Sequence, residues 1–97
     1  MAEWFVMNCL RMDKITLFVR ADCPYCVNAV QIVKSRAPGR MQVVDITGFP
    51  NVQEYLQQTL WRNVPFVYFG NTYFGGLSEL QRMYQRIPMM LQYSHGM

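Results

Sequence analysis

Two cysteines separated by two residues, Cys23-Pro24-Tyr25-Cys26, follow directly on a compact apolar run from Ile15 to Arg20. That run carries Ile, Thr, Phe and Val and reads as a buried strand. Pro24 suits the first position of a helix. Cys26, Ala29/Val30, Val33 and Ala37 then recur at helical spacing, so a helix is expected to about Arg36, stopped by Pro38-Gly39. Met41 to Ile46 reads as a second strand. Two strands joined by a helix make a βαβ unit, which demands a parallel pair with a right-handed crossover. The two thiols therefore sit where the crossover helix begins.

The flanking segments complete the pattern. Residues 3–10 suggest a short helix. Gly48-Phe49-Pro50 is a turn, and Val52, Tyr55, Leu56 and Leu60 mark one face of another helix. Pro65 to Gly70 reads as a third strand and Thr72 to Phe74 as a fourth, joined by the hairpin chemistry of Gly70-Asn71. The apolar stretch Phe66 to Phe69 reads as covered core. After Gly75-Gly76 a last helix is expected, with the stripe Leu80, Met83, Tyr84 and Ile87. Pro88 should end or kink it, with one or two further turns over 88–94 and a fraying tail from Ser94 to Met97.

The thiolate, not the thiol, does the chemistry of cysteine. At a helix N-terminus, unpaired N–H groups and the helix dipole favour negative charge, and Arg20 acts in the same sense. Cys23 is thus the expected attacking sulfur. Cys26 lies one turn deeper, expected buried, and close enough to close a small disulfide ring; it is the expected resolving thiol. Pro24 stiffens the turn, and Tyr25 places an exposed aromatic beside the sulfur. Asp22 opposes the thiolate by charge, yet a carboxylate there can also cap the helix.

Other classes are excluded by composition. The chain of 97 residues is 52% apolar and 15% charged, against roughly 25% charged in an average domain, so it is not a disordered chain. One domain over residues 1–97 is expected. No run of about 18 apolar residues marks a membrane helix. Met1 to Leu10 lacks the basic-then-apolar order of a secretory signal. The net charge of +3 comes from scattered Lys and Arg, a mild bias towards small anions and not a nucleic-acid footprint. Three sparse cysteines argue against a secreted disulfide scaffold and for a reducing, cytoplasmic compartment. A zinc site would need two more ligands, and only Cys9 and His95 remain, so no metal is expected. Cys9 reads as a structural or accessory thiol, and Met83, Met89 and Met90 as core filler.

Val64-Pro65 opens the third strand. It is either a plain edge-strand proline or a cis proline whose neighbours pair with an extended peptide. A C-x-x-C after the first strand of a βαβ unit is the thioredoxin-like pattern. Taken in order, a longer set of residues is more specific. It comprises Met1-Ala2-Glu3 with Phe5-Val6, Cys23-Pro24-Tyr25-Cys26, Val44-Asp45-Ile46-Thr47, Gln53 to Gln58, Arg62, Val64-Pro65, and Gly75-Gly76 with Ser78. This set resembles the glutaredoxins, of the small cytosolic dithiol type found in animals and large DNA viruses.

The resemblance implies an α/β, thioredoxin-like fold with a four-stranded mixed sheet flanked by helices. It implies a monomeric glutathione-dependent oxidoreductase of electron transport and cell redox homeostasis. Glutathione would be the co-substrate, and glutathionylated or disulfide-containing proteins the partners, with no nucleic acid and no membrane. It also implies that glutathione's backbone pairs with Val64 beside Pro65, and that its glycine carboxylate meets Arg20, Gln53 and Arg62. Tyr25 and Gly76 line the site. The γ-glutamyl carboxylate takes the N–H groups of Leu77 and Ser78, and its ammonium group pairs with Glu79.

Three departures from the family pattern stand out. Thr59-Leu60-Trp61 replaces a Thr-Gly with one residue missing, Leu77 replaces a smaller residue, and Glu79 replaces Asp. Two other readings share these residues: an iron–sulfur carrier using Cys23 and glutathione, which Pro24 disfavours, and a binding protein with weakened catalysis. Thioredoxin itself is disfavoured by Pro24-Tyr25, where thioredoxins carry Gly-Pro.

Overall fold

The computed structural model describes residues 1–96, with side chains through Leu91. The central strand β1 (Ile15–Val19) pairs in parallel with β2 (Met41–Asp45) and antiparallel with β3 (Phe66–Phe69), which pairs antiparallel with β4 (Thr72–Gly75). The strand order is β2-β1-β3-β4. Helices α1 (Ala2–Cys9), α2 (Pro24–Arg36) and α3 (Pro50–Leu60) connect or precede the strands, and α4 (Leu77–Arg82) and α5 (Ile87–Gly96) follow them. This is the expected four-stranded mixed sheet flanked by helices.

Alternation along the strands divides the interior in two. Ile15, Leu17, Val19, Val67 and Phe69 face α2, α4 and α5, meeting Ala29, Val33, Leu80, Ile87 and Leu91. Phe18, Phe66 and Tyr68 face the other way, towards Val6, Val52 and Leu56 of α1 and α3. Every residue of β1 and β3 is buried, which explains their continuous apolar reading. Full burial of such a side chain stabilises the fold by roughly 1.5–3 kcal/mol. Thr16, the buried polar residue of β1, receives a long hydrogen bond from Gln42 Nε2, which also donates to the Cys9 carbonyl.

Register brings the end of β1 towards Val64-Pro65. Phe18 pairs with Phe66, so continuing the antiparallel ladder sets Arg20 opposite Val64. The Val64–Pro65 bond is cis, and β3 lies between β1 and β4, so this is not a plain edge-strand proline. At the end of β2, Asp45 Oδ1 accepts the N–H and the hydroxyl of Thr47 at 2.8 and 2.6 Å, and Thr47 Oγ1 accepts the Ala21 N–H at 2.9 Å. The Asp45-Ile46-Thr47 stretch therefore anchors the loop that presents Cys23.

Four expectations are corrected. The last helix does not run to Pro88: it breaks at Met83, passes through a tight 3-10 turn at Tyr84–Arg86, and restarts at Ile87. Pro88 lies in the first turn of the new helix, where its missing N–H has no partner to lose. Arg36 fastens this corner, with Nε donating to the Tyr84 carbonyl at 3.2 Å and the guanidinium 4.8 Å from the Tyr84 ring centre. Met89 is half exposed and is not core filler, and Tyr84 sits at the surface. Finally, β4 extends through Gly75. The tail at 94–97 and the reading of His95 lie outside the residues whose side chains are described.

Candidate active site

The sulfur at the helix start is itself the cap. Cys23 occupies the N-cap position of α2, Pro24 the first turn, and Cys23 Sγ accepts the Cys26 N–H at 3.1 Å. An N–H aimed at sulfur stabilises negative charge there. Asp22 is not the cap: its carboxylate turns to solvent, 3.8 Å from Arg20 Nε. The cap position lies one residue later, so the Asp22 side chain is out of reach of the orphan N–H groups. Both thiols are free; Cys23 is partly exposed and Cys26 is 2% exposed.

Burial, reinforced by the hydrogen bond with Cys23, pushes the Cys26 thiol well above the ordinary thiol range. At neutral pH it stays protonated. Limiting iodoacetamide at pH 7 is therefore expected to label Cys23 and leave Cys26 unmodified, read by peptide mass. Equal labelling would contradict the division of roles.

Two clefts adjoin at this point. One, of about 280 Å³, is lined by Arg20, Asp22, Cys23, Pro24, Tyr25, Gln53, Asn63 and Val64. The other, of about 310 Å³, is lined by Tyr25, Arg62, Asn63, Val64, Pro65, Gly76 and Leu77. They share Tyr25, Asn63 and Val64, so together they form a trough running past the sulfur. In the first half Arg20 Nη1 donates to Gln53 Oε1 at 3.1 Å, joining the end of β1 to the first turns of α3.

Arg62 does not converge with Arg20 and Gln53. It lies along the second half of the trough, where Nη2 donates to Glu79 Oε1 at 2.8 Å. The cause is local: α3 ends at Leu60, and Trp61 takes a left-handed conformation, φ 57°, before Arg62 leaves the helix. Glycine is the usual residue for that turn; here an 88% exposed Trp holds it. Glu79 also accepts the Gly76 N–H at 2.7 Å. Arg62 first, and then the Gly76 N–H, hold the Glu79 carboxyl down at about 2. Ser78 is exposed beside it at the start of α4.

Asn63 escaped the sequence reading. Its Oδ1 accepts the Val64 N–H at 2.8 Å and Gln57 Nε2 at 2.9 Å, bracing the loop before the cis proline. Its position beside Val64-Pro65 was the available signal, since Asn readily bonds neighbouring backbone. Beside this region the buried Tyr73 hydroxyl has no hydrogen-bond partner among the described residues. Among the described residues no group of three or more His, Cys, Asp or Glu could hold a metal ion, and no helix is long and apolar enough to cross a membrane.

Comparison with known proteins gives the family and the fold. The glutaredoxin family model matches residues 15–74. The chain is 47% identical to glutaredoxin-1 of Gallus gallus over 95 residues, covering 95% of this chain and 94% of that protein. It is 41% identical to glutaredoxin-1 of vaccinia virus (strain Copenhagen) over 86 residues, covering 82% and 80%. Among solved structures, the buckwheat glutaredoxin–glutathione complex superposes with a TM-score of 0.81 at 17% identity, covering 98% of this chain and 90% of that one. Oxidized glutaredoxin 2 of Chlamydomonas reinhardtii superposes with a TM-score of 0.80 at 21% identity, covering 98% and 94%. With its dithiol at the head of α2 and a cis proline across from it, the chain belongs to the glutaredoxin family of glutathione-dependent thiol–disulfide oxidoreductases.

Proposed function

We propose that Cys23 is the nucleophile that takes glutathione from protein mixed disulfides, and that Cys26 resolves intramolecular protein disulfides. The trough past Cys23 is the glutathione site. The observation that carries this reading is the Arg20–Gln53 contact of 3.1 Å in the same cleft as Cys23 and Val64. A guanidinium and a side-chain amide held together there suit a carboxylate.

In this reading the glycine carboxylate of glutathione lies against Arg20 and Gln53, and its backbone runs along Val64 and Pro65. Asn63 must release the Val64 N–H for that pairing to complete. Tyr25 and Gly76 border the cysteinyl portion. The γ-glutamyl end reaches the N–H groups of Leu77 and Ser78, with Glu79 and Arg62 at its flank. Glutathionylated or disulfide-containing proteins supply the other sulfur. A monomeric, single-domain protein of the cytoplasm, working in electron transport and redox homeostasis without nucleic acid, membrane or metal, fits this role.

Replacing Arg20 by Met tests the carboxylate assignment. A charge-assisted hydrogen bond is worth about 1.5–3 kcal/mol, so KM for a glutathionylated peptide should rise by about tenfold or more with kcat little changed. An unchanged KM would remove Arg20 from the site.

A further inference from the structure

Glu79 meets positive charge on both carboxylate oxygens. Oε1 accepts from Arg62 Nη2 at 2.8 Å and from the Gly76 N–H at 2.7 Å, and Oε2 lies 3.7 Å from Arg82 Nη2. Two guanidiniums and one carboxylate leave this cluster with a net positive charge. The Glu79 side chain is only 21% exposed, whereas Arg62 and Arg82 are 40% and 69% exposed.

The two preceding glycines make room for the contact. Gly75 has φ 148°, and a Cβ there would stand 2.6 Å from Glu79 Cγ. A Cβ on Gly76 would stand 3.3 Å from the Pro65 carbonyl oxygen and 3.5 Å from Arg62 Nη2. The Glu79 stem lies over a floor without side chains and reaches across to Arg62. The loop that begins at the left-handed Trp61 delivers Arg62 to this carboxylate.

An ammonium group brought to this carboxylate would join two cations and displace a short charge-assisted bond. Like charges placed together cost binding energy. We infer that the Arg62–Glu79 pair makes this protein indifferent to the ammonium group of its thiol co-substrate, leaving recognition to the carboxylates and the sulfur. The inference rests on the glutathione placement proposed above.

Two mixed disulfides of one peptide thiol test it: one with glutathione, one with glutaryl-cysteinylglycine, which lacks only the ammonium group. The Cys23 thiolate of the reduced protein attacks either one; the new disulfide forms on Cys23 and the peptide leaves as its thiolate, so one thiolate and one disulfide stand on each side of the step. The second-order rate constants are measured by stopped flow. The wild type should consume the two within about threefold of each other. Arg62→Met, which frees Glu79, should prefer the amine-bearing substrate by about tenfold or more. A clear wild-type preference for the amine overturns the inference while leaving the proposed site intact. So does an Arg62→Met variant that discriminates no more than the wild type. If wild-type protein consumes neither disulfide, the proposed site itself falls, and this inference with it.

Discussion

Cys23→Ser should abolish turnover of every disulfide substrate, while Cys26→Ser should keep deglutathionylation and lose the reduction of intramolecular protein disulfides. In the first case no sulfur remains at the N-cap of α2, and removing a nucleophile costs on the order of 10³-fold or more. The second follows from the direction of electron flow. In the proposed cycle Cys23 as thiolate attacks the glutathione sulfur of a mixed disulfide, and the substrate protein leaves as a thiolate that takes a proton from water. A second glutathione then attacks the disulfide on Cys23, releasing glutathione disulfide and restoring the thiolate. Cys26 enters neither step. The N–H that steadies the Cys23 sulfur belongs to the Cys26 backbone, so serine at 26 leaves it in place. Steady-state assays of both variants with a glutathionylated peptide and a disulfide-bonded peptide settle the point. Loss of both activities in Cys26→Ser would mean that the roles are assigned wrongly.

The second large effect concerns the fold that holds the site. Phe18 is wholly buried in the central strand, edge-on to Tyr68 with ring centres 5.7 Å apart, among Val6, Ile46, Leu56 and Phe66. Phe18→Ala should cost about 3–5 kcal/mol, a large share of the ~5–15 kcal/mol that typically separates folded from unfolded domains. Tm should fall by roughly 12 °C or more. Calorimetry of the reduced protein measures it, and a drop of only a few degrees would mean that the cavity is refilled by its neighbours. The same strand ends beside Arg20, so loss of its packing also loosens the register that sets Arg20 opposite Val64.

Much of this architecture was legible in the sequence because short-range physics dictates it. The run Ile15 to Arg20, the stripe Cys26–Ala29–Val33–Ala37 and the hairpin turn at Gly70-Asn71 each encode their element through period or turn chemistry. Val52 and Leu56 likewise sit on the buried face of α3 as their spacing requires. The break at Met83 was not legible, since Pro88 is compatible both with an ending helix and with the first turn of a new one. Which of the two occurs depends on Arg36, 48 residues from Tyr84, reaching the turn carbonyl.

At the site, the order of residues alone marked the dithiol, the proline before β3 and the charged groups as a set. Their identities determined which chemistry was possible: a sulfur over helix dipoles, guanidiniums for carboxylates, glycines where backbones crowd. The sequence could not decide which polar and charged groups would face each other. Arg20 found Gln53, and Arg62 found Glu79, because partners 33 and 17 residues apart meet only when the sheet is assembled and the loop at Trp61 has turned. Local rules read the periodicity of a chain, whereas pairing of polar and charged side chains depends on distances that exist only after the core has closed.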